Sequence, residues 1–231
     1  MGKFFFSRMP VTLVVTLFAL AAFTTPACAT NLVLNPSFEL ATATITTQFL
    51  LAGVQDWTNS NIGEALVTPN WFTTMMLFPN VGFAGPVPQT SPDGGNFVFS
   101  DGDFMNSPIQ QTINGLTPGD TYNLTFYQAL AEDTEPNVTF PGPVTSLWQV
   151  SLGASVQLST MMFADGTTNT ISPWKQESMT FTATNATEVL SFFAIGTGAP
   201  PLTLLDGISL VDTAPEPATI CLTGIGAVLI G

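Results

Sequence analysis

Residues 121–128, TYNLTFYQ, give the clearest indication of the fold class. Side chains of an extended chain alternate between two faces, so one face of this stretch carries Tyr122, Leu124 and Phe126. The opposite face carries polar residues and Tyr127. This period of two between apolar and polar positions predicts a β-strand with one buried face.

The same alternation recurs along the chain. Residues 147–153, LWQVSLG, place Trp148 at an apolar position, so we expect that side chain to be buried. Gly153-Ala154 then separates this run from SVQLST, as a two-residue hairpin turn would. Further runs of the same kind are NFVFS, PIQQTI, ESMTFTAT, EVLSFFAI and LTLLDGISLV.

Eight or more short strands without intervening helical patterns predict an all-β fold, an antiparallel β-sandwich over residues 30–212. The turn Gly-Leu-Thr-Pro-Gly at 115–119 separates two of the strands. Residues 131–145 contain three acids and three prolines and are expected to form a long exposed loop. Such a loop either binds a ligand or only connects strands.

The charge of the chain excludes one class of partner. The sequence has 16 acidic and 3 basic residues, no histidine, and a net charge of −13. Phosphate binding requires clustered Lys and Arg, so nucleic acid is not an expected partner.

The first 29 residues resemble a secretory signal peptide. Lys3 and Arg8 precede the 13 uncharged residues of 11–23, a stretch too short to cross a bilayer. Small residues at Ala27 and Ala29 predict cleavage by signal peptidase after Ala29. Lipidation of Cys28 is a second interpretation, which Thr25 disfavours.

Several segments, in this order, resemble the galactose-binding-like jelly roll that many carbohydrate-binding modules share. They are NLVLNPSFE at 31–39, Trp57, SPDGGNFVFSDG at 91–102, IQQTINGLTPGDTYNLTFYQA at 109–129 and LLDGISLVD at 204–212. The resemblance implies that the first and last strands lie close together, often with a structural calcium ion near their junction. Glu39 and Asp206 are the acids expected there, and oxygen ligands are what calcium requires. Alternatively, each carboxylate only caps backbone N–H groups or faces water.

Aromatic residues are the basis for predicting sugar binding. Flat rings with one polar group suit stacking on a pyranose, and the candidates are Trp57, Trp71 and Tyr127. Trp174 and Tyr122 are further aromatic residues that could stack on a sugar. Each of these rings could instead belong to the core.

Catalysis is not expected. Without histidine, a Ser-His-Asp triad and histidine-ligated metal sites are excluded. A glycosidase needs only two carboxylates, and Asp101 with Asp103 is the nearest pair in sequence. Paired acids around a glycine are more typical of a turn.

Residues 213–231 resemble the PEP-CTERM sorting signal of Gram-negative bacteria. Pro215, Glu216 and Pro217 precede 14 apolar or small residues. The resemblance implies recognition and cleavage by an exosortase, with transient membrane association. The segment departs from that pattern because no basic cluster follows, and we expect it to be truncated.

Together these features predict an exported, non-catalytic protein of the cell surface or extracellular matrix that binds polysaccharide. The alternative is a structural matrix protein that contacts other proteins and has no sugar pocket. A glycoside hydrolase is a third possibility.

Overall fold

The computed structural model describes residues 29–41, 54–59, 65–69, 76–78, 81–83, 91–103, 107–134, 142–164, 172–198 and 201–213. Within these ranges the regular secondary structure is entirely β-strand. No helix in this part of the chain has the length and apolarity needed to cross a bilayer.

The strands form two antiparallel sheets. Sheet I has the order β1-β6-β12-β8-β10, with β9 also paired to β8, and sheet II has the order β2-β5-β13-β7-β4-β3, with β11 also paired to β7. The strands are β1 (Thr58–Asn59), β2 (Ala65–Pro69), β3 (Met76–Phe78), β4 (Val81–Phe83), β5 (Asn96–Asp101), β6 (Ile109–Asn114), β7 (Thr121–Thr134), β8 (Val144–Leu152), β9 (Ser155–Leu158), β10 (Met162–Ala164), β11 (Lys175–Thr182), β12 (Thr187–Thr197) and β13 (Pro201–Asp212).

From β5 onward the chain passes repeatedly between the two sheets. β5, β7, β11 and β13 lie in sheet II, whereas β6, β8, β9, β10 and β12 lie in sheet I. The Gly153-Ala154 hairpin connects β8 to β9, with Leu152 opposite Ser155, and Gly153 adopts a positive φ of 56°. The predicted fold class, an all-β jelly-roll sandwich, is confirmed.

The core lies between the two sheets. It contains the side chains that the alternation of apolar and polar residues predicted to be buried. Tyr122, Leu124 and Phe126 of β7 are buried, and so is Trp148 of β8, as predicted. Phe192 of β12 contacts Phe126 and Trp148 edge to face, with ring centroids 5.2 Å and 6.1 Å apart. Aromatic pairs of this geometry add to the stabilisation from burial alone.

The N-terminal segment lies beside the last strand, as the jelly-roll resemblance implies. Leu32 N–H donates to the Leu210 carbonyl at 2.9 Å. The Asn31 side chain accepts from Leu210 N–H at 2.9 Å and donates to the Ile208 carbonyl at 3.0 Å. Together with the bond from Ile208 N–H to the Pro36 carbonyl at 3.0 Å, they hold residues 31–36 along β13.

One boundary differs from the sequence prediction. The loop expected from residue 131 begins later, because β7 continues to Thr134. Glu132 lies opposite Pro201 of β13, and Asp133 lies opposite Phe83 of β4. Pairing on both sides keeps this acidic stretch in the sheet despite its low strand propensity.

Candidate functional site

Asp206 lies in the middle of β13, where the register of sheet II shifts. It is opposite Tyr127 of β7, and the irregularity falls between Asp206 and Ser209. Gly207 adopts a φ of 56° there, in the left-handed region that favours glycine. A Cβ on Gly207 would come within 2.8 Å of Tyr127 Cδ2 and 3.1 Å of Asp93 Cβ. The irregularity therefore brings a carboxylate from a distant loop next to an aromatic ring.

Asp206 is fully buried, and its two carboxyl oxygens differ in their partners. Oδ2 accepts a hydrogen bond from the Ser91 hydroxyl, whereas Oδ1 is buried without a hydrogen-bond partner. Burial raises the pKa of Asp206 to about 8, and the charges of Asp93 and Glu39 act in the same direction, against hydrogen bonds from Ser91 and Gly207. We call Glu39, Asp93 and Asp206 the acidic cluster. Leaving Oδ1 buried without a partner costs free energy.

Glu39 reaches the acidic cluster because the chain around it is sharply turned. Phe38 is buried with a φ of 57°, an uncommon value for a residue other than glycine. The Glu39 carboxylate accepts from Asn96 N–H at 2.6 Å. Gly95 has a φ of 67°, which favours glycine, and a Cβ there would lie only 1.6 Å from Glu39 Oε1 in its present position. The glycines of SPDGGN thus allow the close approach of the carboxylate.

The structure corrects the assignment of Trp57 as a sugar contact. Its side chain is 3% exposed, with the ring centroid 5.2 Å from that of Phe38 and 6.4 Å from that of Phe192. The indole N–H donates to the Asn35 carbonyl at 2.9 Å. A buried ring cannot stack on a sugar, and this one instead holds the turn that positions Glu39.

Aromatic side chains gather on the outer face of sheet II, the face turned away from the core. Tyr127 is partly exposed there, opposite Gln176 of β11. Trp174, just before β11, is also partly exposed, and its ring meets that of Phe97 edge to face at 5.4 Å. The indole Nε1 of Trp174 is buried without a hydrogen-bond partner. Tyr127 and Trp174 are therefore the two aromatic candidates for contact with a ligand on this face.

Lys175 is the only basic residue in the described part of the chain, and it is engaged elsewhere. Its Nζ lies 3.0 Å from Glu177 Oε1 and donates to Thr160 Oγ1 at 2.5 Å. Burial would raise the pKa of Glu177, but hydrogen bonds from Thr160 and Lys175 outweigh it, so that pKa is lowered. The outer face of sheet II thus has carboxylates nearby and no free cation among the residues described.

The remaining sequence candidates fall into two groups. Asp101 is buried, and its Oδ1 accepts from Asp103 N–H at 2.8 Å, as in an Asx turn. The spacing of this pair is therefore explained by the turn. Trp71, the signal cleavage residue Ala27, the lipidation candidate Cys28, and the sorting motif Pro215, Glu216 and Pro217 lie outside the described residues. Ala29 is the first described residue and is exposed.

The sequence analysis did not identify two residues of the site. Asp93 and Ser91 belong to SPDGGN, a segment used only to support the fold. Their proximity to Asp206 depends on the pairing of β5 with β13. The two adjacent glycines after Asp93 were the available signal, because such a pair marks a loop in which the backbone approaches another group closely.

No protein-family model and no curated protein matches the chain. Similar solved structures include a family 61 carbohydrate-binding module in complex with β-1,4-galactotriose, with 15% identity over 80% of this chain and 99% of that one, at a TM-score of 0.42. A family 4 carbohydrate-binding module has 15% identity over 77% of this chain and 97% of that one, at a TM-score of 0.37. The family 22 xylan-binding domain from Paenibacillus barcinonensis has 12% identity over 76% and 90%, at a TM-score of 0.38. Similarity at this level identifies no ligand for this chain.

Proposed function

We propose that this chain is an exported, non-catalytic protein that binds polysaccharide through the outer face of sheet II. The observation that supports this most directly is the pair of partly exposed aromatic residues there, Tyr127 and Trp174. Rings of this kind stack on the apolar face of a pyranose.

The glycan we propose is uncharged. The chain has a net charge of −13, and the acidic cluster lies beside Tyr127. Lys175, the only basic residue in the described part of the chain, already lies 3.0 Å from the Glu177 carboxylate. Like charges oppose binding of an acidic polysaccharide, so a neutral chain such as a xylan, galactan or glucan suits this face better.

We also propose that the acidic cluster holds a structural calcium ion. The oxygen donors fit: Glu39 and Asp206 supply carboxylates, and Oδ1 of Asp206 is buried and unpaired. Among the described residues no three His, Cys, Asp or Glu side chains lie close enough together to hold a metal ion, and this includes the three acids of the acidic cluster. Hydroxyl or backbone carbonyl oxygens would therefore complete the ligand set. The ion would neutralise carboxylates that otherwise repel one another.

The proposed route to the surface depends on the two ends of the chain. Residues 1–29 would direct export and be removed by signal peptidase. Residues 213–231 would then be recognised by an exosortase, which releases the sandwich at the cell surface or into the extracellular matrix. A protein that stays in the cytosol with residues 1–29 intact would contradict this route.

Affinity electrophoresis of the full chain tests glycan binding. Gels with soluble xylan, galactan or β-glucan should retard the wild-type protein, and gels with alginate or polygalacturonate should not. Tyr127→Ala and Trp174→Ala should each lose the retardation. Phe163→Ala is the matched control, because this exposed aromatic lies in sheet I.

Three outcomes would contradict the proposal. Equal retardation of all variants would show that the glycan site is not on the outer face of sheet II. Binding of acidic glycans alone would refute the neutral ligand. Retardation in no gel at all would favour the second candidate, a structural protein that contacts proteins. The specific observation for that candidate is the outer face of sheet I, whose described outward positions carry no charged residue.

A further inference from the structure

The outer face of sheet I carries exposed apolar side chains from neighbouring strands. The inward positions of β8 and β12 include Trp148 and Phe192, so the alternate residues point outward. Leu158 of β9 lies opposite Gln149, and Phe163 of β10 lies opposite Thr145. The exposed apolar residues on these strands are Val156 (54%), Leu158 (59%), Phe163 (60%), Val189 (42%) and Ile195 (38%).

These residues form one continuous surface, because each strand is paired with the next. Ser151 lies between Val156 on β9 and Ser191 on β12. Leu147 lies opposite Ile195, and Thr145 lies between Phe163 and Thr197. We call this surface the sheet I face. Its apolar residues lie among hydroxyl and amide side chains, and exposed apolar patches of a few hundred Å² are often functional surfaces.

The sheet I face carries no charge in the described part of the chain. Its outward positions are filled by aliphatic, aromatic, hydroxyl and amide side chains: Gln110, Thr112, Thr145, Leu147, Gln149, Ser151, Val156, Leu158, Phe163, Val189, Ser191, Phe193, Ile195 and Thr197. The chain as a whole has 16 acidic residues, and Glu188, the acid within β12, is buried rather than outward. Two acidic molecules repel each other over most of their surface, but not where no carboxylate is present.

We propose that the sheet I face binds the same face of a second copy of this chain. A two-fold axis would place the two sheets face to face, with apolar side chains of one copy against those of the other. No charge would be buried, and the carboxylates of both copies would stay away from the contact. This proposal does not depend on glycan binding, which uses the opposite side of the sandwich.

The size of the face sets the expected strength. Ser191 to Thr197 spans roughly 20 Å along the strand, and β6 to β9 spans about 14 Å across it, so the area is on the order of 280 Å² per copy. A standard stable interface buries about 800 Å² per partner. The dimer is therefore weak and depends on concentration.

Sedimentation velocity of the full chain between about 10 µM and about 1 mM tests the proposal. The wild-type protein should pass from monomer to dimer over this range, and more readily at higher ionic strength, because salt screens the repulsion between copies. Leu158→Glu and Phe163→Glu each place facing carboxylates in the contact and should weaken dimerisation at least about 10-fold. Both positions are more than half exposed, so we expect these variants to fold, which thermal unfolding will verify.

Leu34→Glu is the matched control. Leu34 is 56% exposed and lies in the N-terminal segment, outside sheet I, so the same charge change there should leave dimerisation as in the wild type. A wild-type protein that stays monomeric throughout, or variants that dimerise like it, would overturn the proposal. So would equal weakening by Leu34→Glu. A monomeric protein whose glycan retardation depends on Leu158 would assign this face to the polysaccharide instead.

Discussion

The outer face of sheet II carries the partly exposed Tyr127 and Trp174, with Asp93 close to Tyr127, whereas the described outward positions of sheet I include exposed apolar residues and no charged ones. Both faces arise from the same alternation of side chains along antiparallel strands. The difference comes from a loop and a strand irregularity: SPDGGN and Gly207 bring Asp93 beside Tyr127. Sheet II thus has a buried carboxyl group with one unpaired oxygen, while the described outward positions of sheet I form the surface for which we propose self-association.

The largest expected effect is a difference in stability between two tryptophan variants. Trp57 supports the site from within the core, whereas Trp174 would contact a ligand on the outer face of sheet II. Trp57→Ala should lower the free energy of unfolding by about 3–5 kcal/mol, because it empties a buried site between the sheets. Trp174→Ala should cost less, about 1–2 kcal/mol, since that ring is partly exposed. Urea unfolding of both variants measures the difference. Equal losses would mean that Trp174 is as much a core residue as Trp57.

The second effect concerns the acidic cluster and depends on pH. Because the pKa of Asp206 is raised on folding, its proton stabilises the metal-free protein at low pH, and that stability is lost as pH rises from about 4 to about 8. Calcium should reverse the loss at neutral pH by about 1.5–3 kcal/mol at 10–100 times its dissociation constant.

Urea unfolding from pH 4 to pH 8, with chelator or with calcium, measures both trends. Asp206→Asn should flatten the pH dependence and abolish the response to calcium. Asp103→Asn, at an exposed turn, should retain both. If calcium does not change the free energy of unfolding of the wild-type protein, the proposal that the acidic cluster binds calcium is wrong.

The third effect would sharpen the contrast in charge between the two faces. Gln176 lies opposite Tyr127 on sheet II, so Gln176→Lys would add a cation beside the aromatic residues. We expect several-fold better retention by polygalacturonate at low ionic strength, because a nearby cation attracts uronates. Thr112→Lys adds the same charge to sheet I and should leave retention unchanged. An equal gain in both variants would indicate a general effect of net charge.

The smallest effect concerns the single described cation. Lys175→Met should lower the free energy of unfolding by less than about 1 kcal/mol, because the lysine side chain is exposed and solvent screens the ion pair. The pKa of Glu177 should rise, so the loss should shrink as pH falls and that carboxylate is protonated. Urea unfolding at pH 7 and pH 4 measures this, and a larger loss at pH 4 would contradict it.

The sequence was sufficient to predict the strands because their signal is local. Alternation in TYNLTFYQ and LWQVSLG predicted the buried positions of Tyr122 and Trp148, and Gly153-Ala154 predicted a hairpin. Residues 131–134 were predicted incorrectly, since their pairing with β4 and β13 outweighs their composition.

The candidate site was less accessible to sequence analysis because it depends on distant contacts. Glu39 and Asp206 were named, yet Asp93 and Ser91 join them only through the fold. Trp57 lies at the end of a turn, where no alternation indicates its direction, so burial could not be inferred. The exposed side of β9 and β10 depends likewise on which sheet those strands enter.

Mapping of a bound glycan by NMR tests the central claim most directly. Backbone amide resonances of the full chain would be followed as a neutral oligosaccharide that retards the protein is added. We predict that the changes in amide chemical shift are largest around Tyr127, Trp174 and Gln176 on sheet II. The amide resonances of Leu158, Phe163 and Ile195 on sheet I should not change. Shifts confined to the sheet I residues would contradict the account.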